Sequence, residues 1–225
     1  MKVQIYTVQS AEEALELVNL NIDHLGVTPA SRGLPGEVSI KVAKDICRAV
    51  EDRVVTVALS VESEIEEIIH MVNSVDPQVL HLCGPEGAVP PRMVGEIKSQ
   101  LIDRGFHVEI MQAISVLGSK SIDLAVEYEE VSDYLILDTQ STNVYGIGAS
   151  GNVHDWNISK QIVDAVNIPV ILAGGLSINN VKEAIHKVNP WGVDSLTHTN
   201  KILNNGGFVK DIDKVKDFVS TSKEA

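Results

Sequence analysis

Asp138 closes the aliphatic run Leu135-Ile136-Leu137 and is followed by Thr139. A carboxylate at the end of an apolar stretch loses water, and that raises its pKa toward the range useful for proton donation. General acid work is one reading; a loop or helix-cap aspartate is the other. His81 and Cys83 stand two apart in Leu80-His81-Leu82-Cys83-Gly84, so on a strand they share a face. Either is a candidate base, or else a satisfied core histidine and a small buried thiol.

A second chemistry is anion binding. Ala173-Gly174-Gly175-Leu176 follows an aliphatic run and precedes a helix that we expect to be capped near Ser177. Paired glycines let the backbone approach a ligand, and helix N–H groups favour an anion. An ordinary tight turn is the alternative. Arg32, in Ala30-Ser31-Arg32-Gly33, has the planar fork that grips a carboxylate, or it is simply solvated. Gly146-Ile147-Gly148-Ala149-Ser150-Gly151 matches the dinucleotide fingerprint by letter. No strand directly precedes it and no evident helix starts at once, so that reading fails. A glycine lid over a site, or a plain flexible loop, remains.

Such groups need a scaffold that gathers them. Strands are expected at Val3–Tyr6, His24–Thr28, Val54–Leu59, Val79–Cys83, His107–Met111, Tyr134–Asp138, Pro169–Ala173 and Gly192–Leu196. Helices are expected at Ala11–Asn19, Ser39–Glu51, Glu62–Asn73, Pro91–Arg104, Ile122–Val131, Asn157–Val166, Asn179–Val188 and Asp211–Ser220. Regular strand–helix alternation implies a parallel sheet, and eight repeats close a (β/α)8 TIM barrel of residues 1–225, one domain. Ligands bind where such strands end. Asp138, Cys83, Arg32 and the Gly174-Gly175 turn all follow or end strands. Ser10 and Glu13 have capping-box spacing at the first helix. The stretch 139–156 is long for a connector, and the tail Thr221–Ala225 is expected to fray.

Composition narrows the partners. A formal net charge of −13 disfavours nucleic acid and anionic membranes. No apolar stretch reaches the length of a membrane span, and residues 1–5 enter a strand without a signal-peptide core. Cys47 and Cys83 alone make neither a disulfide framework nor a metal site. A cytoplasmic protein with a small phosphorylated ligand is expected.

In this order the pieces resemble the phosphoribosylanthranilate isomerase family of tryptophan biosynthesis, from Gln4 to Asp211. Leu137-Asp138-Thr139, Gly148-Ala149-Ser150-Gly151, His154-Asp155-Trp156, Ala173-Gly174-Gly175-Leu176 with Asn180-Val181, Val193-Asp194 and Lys210-Asp211 carry the likeness. The resemblance implies an Amadori rearrangement of a phosphorylated aminoribose with no metal or organic cofactor, in a monomer or homodimer. It makes Asp138 the acid, Arg32 the clamp on the substrate carboxylate, and Gly148, Ser150 and Gly151 part of the lid. Gly174 and Gly175, with Thr197 and His198 after the eighth strand, become the phosphate cradle. The departures fall at strand ends. Where the family carries a basic cysteine on strand one, this chain has Tyr6, and a phenol with pKa near 10 is protonated at neutral pH. The family's QLHG becomes His81-Leu82-Cys83-Gly84, and a glycine of the second phosphate turn becomes His198. A base relocated to Cys83 or His81 is one outcome. A paralogue for another phosphorylated sugar or amine, or a barrel that only binds its ligand, are the others.

Overall fold

Val, Ile, Leu and Ala dominate the strand segments, and β-branched chains suit a pleated surface buried on both faces. A computed structural model describes residues 1–139, 145–148 and 153–225. Its barrel strands are β1 (Lys2–Ile5), β2 (His24–Val27), β3 (Val55–Ser60), β4 (Val79–Leu82), β5 (Glu109–Ser115), β6 (Tyr134–Asp138), β7 (Val170–Leu172) and β8 (Gly192–Ser195). They pair in parallel in chain order, and β8 closes on β1 with Gln4 beside Asp194. The helices are α1 (Ala11–Leu17), α2 (Ile40–Val50), α3 (Ile65–Val75), α4 (Pro91–Asp103), α5 (Lys120–Glu129), α6 (Trp156–Ala165), α7 (Val181–Val188) and α8 (Ile212–Lys223). The expected (β/α)8 barrel is therefore the observed one. No helix among the described residues is long and apolar enough to cross a membrane.

Alternation along each strand splits the interior in two. Val3, Ile5, Leu25, Ile110, Leu135 and Leu137 point outward and pack under the helices. Tyr6, Val57, Val79, Cys83, Met111, Ile136 and Ile171 point inward and fill the lumen. The floor of the lumen is a cluster of His24, Tyr134 and Trp191, with ring centroids 5.6–5.9 Å apart.

Several expectations need correction. The fifth strand runs Glu109–Ser115 rather than His107–Met111, with Gln112 on the helix-facing side. The tail does not fray from Thr221: α8 continues to Lys223 because Ser222 is buried on the same face as Val215, Phe218 and Val219. The cap at Ser10 forms, with Glu13 N donating to Ser10 Oγ at 3.1 Å. Glu13 does not complete the reciprocal bond; it accepts from the Gln9 and Lys210 N–H groups instead, so it ties the first helix to the segment just before α8. An antiparallel pair not expected from sequence, β9 (Asn200–Ile202) and β10 (Phe208–Lys210), follows the eighth barrel strand.

Candidate active site at the C-terminal mouth

The residue after β1 sets the shape of the site. Tyr6 turns inward and Thr7 follows with φ +61, a left-handed conformation rare for a threonine. The Tyr6 ring lies against Gly26, where a Cβ would come within 2.7 Å of it. Only a glycine on β2 leaves room for this tyrosine. Tyr6 Oη and His81 Nδ1 are 2.8 Å apart, and the rings meet edge to face. Burial, then the nearby Cys83 and Asp194, raise the Tyr6 pKa well above its ordinary value. Burial holds His81 neutral, with its pKa down at about 3, and its Nε2 has no partner among the described residues.

Across the lumen, Cys83 Sγ donates to Ile147 O at 2.8 Å, and Ile147 N donates to Cys83 O at 3.2 Å. Two reciprocal bonds thus fasten the loop after β6 to the end of β4. Burial pushes the Cys83 thiol up, and the nearby Asp138 adds to the shift. The thiol is a hydrogen-bond donor here, not a thiolate. Gly146 and Gly148 have φ of +94 and +99, and a Cβ on either would overlap Cys83 O or the Asp138 carboxylate. The loop's glycines are therefore demanded by close approach as well as by backbone angle. Ser150 and Gly151 lie outside the described residues.

Asp138 ends β6 and is partly covered. Burial raises its pKa to about 7, against a backbone bond from Thr139 N at 2.6 Å that pulls it down. Asp194, on β8, is its counterpart and is almost fully buried. Burial first, then the Asp138 charge, lift its pKa to about 7, while the Gln4 hydrogen bond and Lys210 oppose the rise. Gln4 Nε2 donates to Asp194 Oδ1 at 3.1 Å, and Gln4 Oε1 lies 3.2 Å from His24 Nδ1. That chain fixes the carboxylate from below. Sequence reasoning placed Asp194 only within a family match. The signal available was its parity with Gly192 and Leu196 on an otherwise apolar strand.

Two adjoining spaces open at this mouth. One, about 60 Å³, is bounded by Tyr6, His81, Cys83, Ile147, Asp138 and Asp194. The other, about 20 Å³, is bounded by Gly174, Gly175, Thr197, His198, Asp138 and Asp194. The two carboxylates are shared by both. In the second space Gly174 and Gly175 have φ of +80 and +64. A Cβ on Gly174 would come within 2.8 Å of His154 Nδ1 and 2.9 Å of Thr139 Oγ1. His154 is fixed there by Ser159 Oγ, 2.8 Å from its Nε2. The helix after the glycines starts at Val181, not near Ser177. Asn180 spans the gap, its Nδ2 donating to Gly175 O at 3.1 Å while its Oδ1 accepts from Ser177 N at 2.8 Å. The glycine turn is thus held by a side chain rather than sitting on a helix end. Thr197 and His198 are exposed at the rim, on a short 3-10 turn. Beneath them Lys210 Nζ is buried and donates to Leu196 O, Thr199 Oγ1 and Asn200 Oδ1. Burial lowers its pKa to about 7.

Arg32 stands apart from both spaces. It makes a two-pronged pair with Glu62 and lies 5.9 Å from the centre of the Tyr145 ring, beside a groove outside the barrel mouth. Among the described residues, no Lys or Arg borders the space around Tyr6.

The family described as N-(5'phosphoribosyl)anthranilate (PRA) isomerase matches residues 3–221 of this chain. An N-(5'-phosphoribosyl)anthranilate isomerase of Methanocella arvoryzae is 33% identical over 193 residues, covering 86% of each chain. A second, the isomerase 2 of Methanosarcina mazei, is 28% identical, covering 99% of this chain and 94% of its own. Among solved structures, the monomers generated from the dimeric phosphoribosylanthranilate isomerase of Thermotoga maritima match with TM-score 0.77 and 25% identity, over 100% of both chains.

Proposed function

The chain belongs to the N-(5'-phosphoribosyl)anthranilate isomerase family, and from that premise we propose that it carries out the Amadori rearrangement of a phosphorylated aminoribose, with Asp138 as general acid. One observation carries the proposal: Asp138 and the Gly174, Gly175, Thr197 and His198 rim border the same space. In this reading the backbone N–H groups of the glycine turn, the Thr197 hydroxyl and the His198 ring receive the substrate's phosphate, which leaves the sugar ring over Asp138. Asp138, whose pKa burial raises to about 7 so that its protonated form is populated near neutral pH, gives its proton to the ring oxygen. The C1–O bond opens and the amine lone pair forms a C=N bond at C1. That cation acidifies the C2–H, and a base removes the proton to give an enamine, which tautomerises to the ketone. Gly148, which lies against the Asp138 carboxylate, is assigned to the substrate's side of the site; the same assignment for Ser150 and Gly151 falls outside the described residues. The whole of 1–225 acts as one barrel domain in the cytoplasm, as a monomer or homodimer.

The test is turnover of freshly generated phosphoribosylanthranilate by the purified protein, with Asp138→Asn as control. Turnover in the parent that disappears in the variant supports the proposal; no turnover in either refutes it. The Arg32–Glu62 pair favours a second reading, because a substrate carboxylate must displace Glu62 to reach Arg32. In that reading the substrate is another phosphorylated sugar or amine without a carboxylate. Thermal stabilisation by phosphosugars lacking one, and none by anthranilate derivatives, supports it. Stabilisation without any turnover leaves a barrel that only binds.

A further inference from the structure

The proposed reaction needs a base at C2, and the strand-one position that supplies a thiolate in the resembled family holds Tyr6. The groups at or beside the mouth are either committed to partners or turned to solvent. Tyr6 shares its hydroxyl with His81. The Cys83 thiol donates to Ile147 O. Both ring nitrogens of His154 have partners, Thr139 and Ser159. Lys210 gives its ammonium to three oxygens under the Leu196 turn and borders neither space. His198 stands at the exposed rim. Of His81, only Nε2 is unpartnered, on a ring that burial keeps from holding a proton.

Asp194 is different. It points into the lumen from β8, the strand beside β1, at the level of Gln4 and just below Tyr6. It borders the same two spaces as Asp138. Among the described residues its carboxylate has one hydrogen-bond donor, Gln4, so it retains lone pairs for a proton. Gln4, itself held by His24, fixes its direction. Two carboxylates drawn from water into one site do not readily ionise together, so one keeps a proton while the other is a base.

We propose that Asp194 is the general base of this barrel, taking the C2 proton that a strand-one thiolate takes in the resembled family. The proposal rests on the isomerase reading above. The steps balance. Asp138 loses its proton to the ring oxygen as the C1–O bond breaks. Asp194 takes the proton from C2, and the C2–H pair forms the C1=C2 bond as the C=N pair returns to nitrogen. Asp194 then returns a proton to C1 while the C2 hydroxyl proton passes to Asp138, and the ketone forms. Both groups end as they began. The charged and titratable groups around Asp194 are Asp138 from β6, Lys210 at the end of β10, Tyr6 after β1, His81 and Cys83 from the β4 side, and His198 from the turn after β8.

The experiment measures kcat, KM and the pH profile of kcat for the parent, Asp138→Asn, Asp194→Asn and Asp194→Ala. Asparagine still accepts the Gln4 bond, so Asp194→Asn preserves the local structure. It is expected to lower kcat by about 100- to 10,000-fold. KM should change little, and the acidic limb of the profile should vanish. Formate should restore part of the activity of Asp194→Ala, a rescue that a merely structural role does not allow. Asp194→Asn within tenfold of the parent, while Asp138→Asn is inactive, overturns the assignment of Asp194 and leaves the isomerase reading standing. An inactive Asp194→Ala that formate does not rescue, with an unchanged acidic limb in Asp194→Asn, also overturns it. No turnover by the parent overturns both. Should the neutral variants fail to fold, Asp194→Glu decides. A displaced acidic limb supports the base, and an unmoved one refutes it.

Discussion

The two ends of this barrel treat carboxylates in opposite ways. At the N-terminal end, Asp23 accepts from Lys2 Nζ at 2.9 Å, Lys223 Nζ at 2.8 Å and Val3 N at 3.0 Å. Asp133 likewise binds Lys98 Nζ at 2.7 Å and Ile110 N at 2.8 Å. Burial works against the Asp23 charge, yet its lysines and the backbone N–H hold its pKa below the usual carboxylate range. At the C-terminal end, Asp138 and Asp194 have no lysine or arginine hydrogen-bonded to them among the described residues, and both pKa values rise to about 7. One end uses its carboxylates to fasten helix and strand ends together. The other keeps them short of counter-charge, which costs stability and leaves a proton that can be moved.

The strongest way to break this comparison is Asp138→Asn. It should lower kcat by about 100- to 10,000-fold if Asp138 is the acid. It should also stabilise the fold, with a definite pH dependence. The folded pKa is raised above the unfolded value near 4, so this group's contribution is full in acid and is lost as pH rises toward 7. The variant should therefore melt above the parent at pH 8, by on the order of 2 kcal/mol once partial solvent contact is allowed for, and match it near pH 4. Melting curves across that range check it; a variant less stable at pH 8 contradicts it.

Asp23→Ala should show the reverse. Its folded pKa is lowered, so its contribution is present above the unfolded value and is lost as pH falls through the folded one. A loss of roughly 1 to 3 kcal/mol at pH 7 is expected, fading in acid, with kcat unchanged. A matching fall in kcat would show that the two ends are not separable.

The smallest effect should come from Glu62→Gln, which frees Arg32 at the rim. An exposed pair is worth at most about 1 kcal/mol, so KM for a carboxylate-bearing aminoribose should fall by up to about fivefold. A carboxylate-free substrate should be unaffected. Equal KM for both in the variant would place Arg32 outside recognition.

The barrel was legible because strand and helix segments differ in period and alternate. What escaped did so for local reasons. In β5, Gln112 interrupts the aliphatic run, so the strand was placed too early; its amide sits on the helix-facing side and donates to Ala113 O. The β9–β10 pair was missed although Asn205-Gly206 is a turn signal, because its strands are only three residues each. At the site, Asp138 and the glycine turn were readable from type and position. Asp194 was not, since a lone aspartate in a strand carries no label until its parity with Gly192 and Leu196 is seen. The Glu62 pairing of Arg32 joins residues 30 apart and had no sequence signal.

The double latch between Ile147 and Cys83 has a kinetic consequence. Ile147 and Cys83 both border the space that holds Tyr6, His81, Asp138 and Asp194, so the latch closes one side of it. A ligand that reaches past Ile147 displaces its side chain from the lumen and strains both bonds to Cys83. If that movement is slower than the proton transfers, turnover should fall as solvent microviscosity is raised with sucrose, and Cys83→Ser and Cys83→Ala should alter that dependence by keeping or removing one strand of the latch. The thiol that resembles a misplaced catalyst would then act as a timing element, setting how often the chamber exchanges its contents.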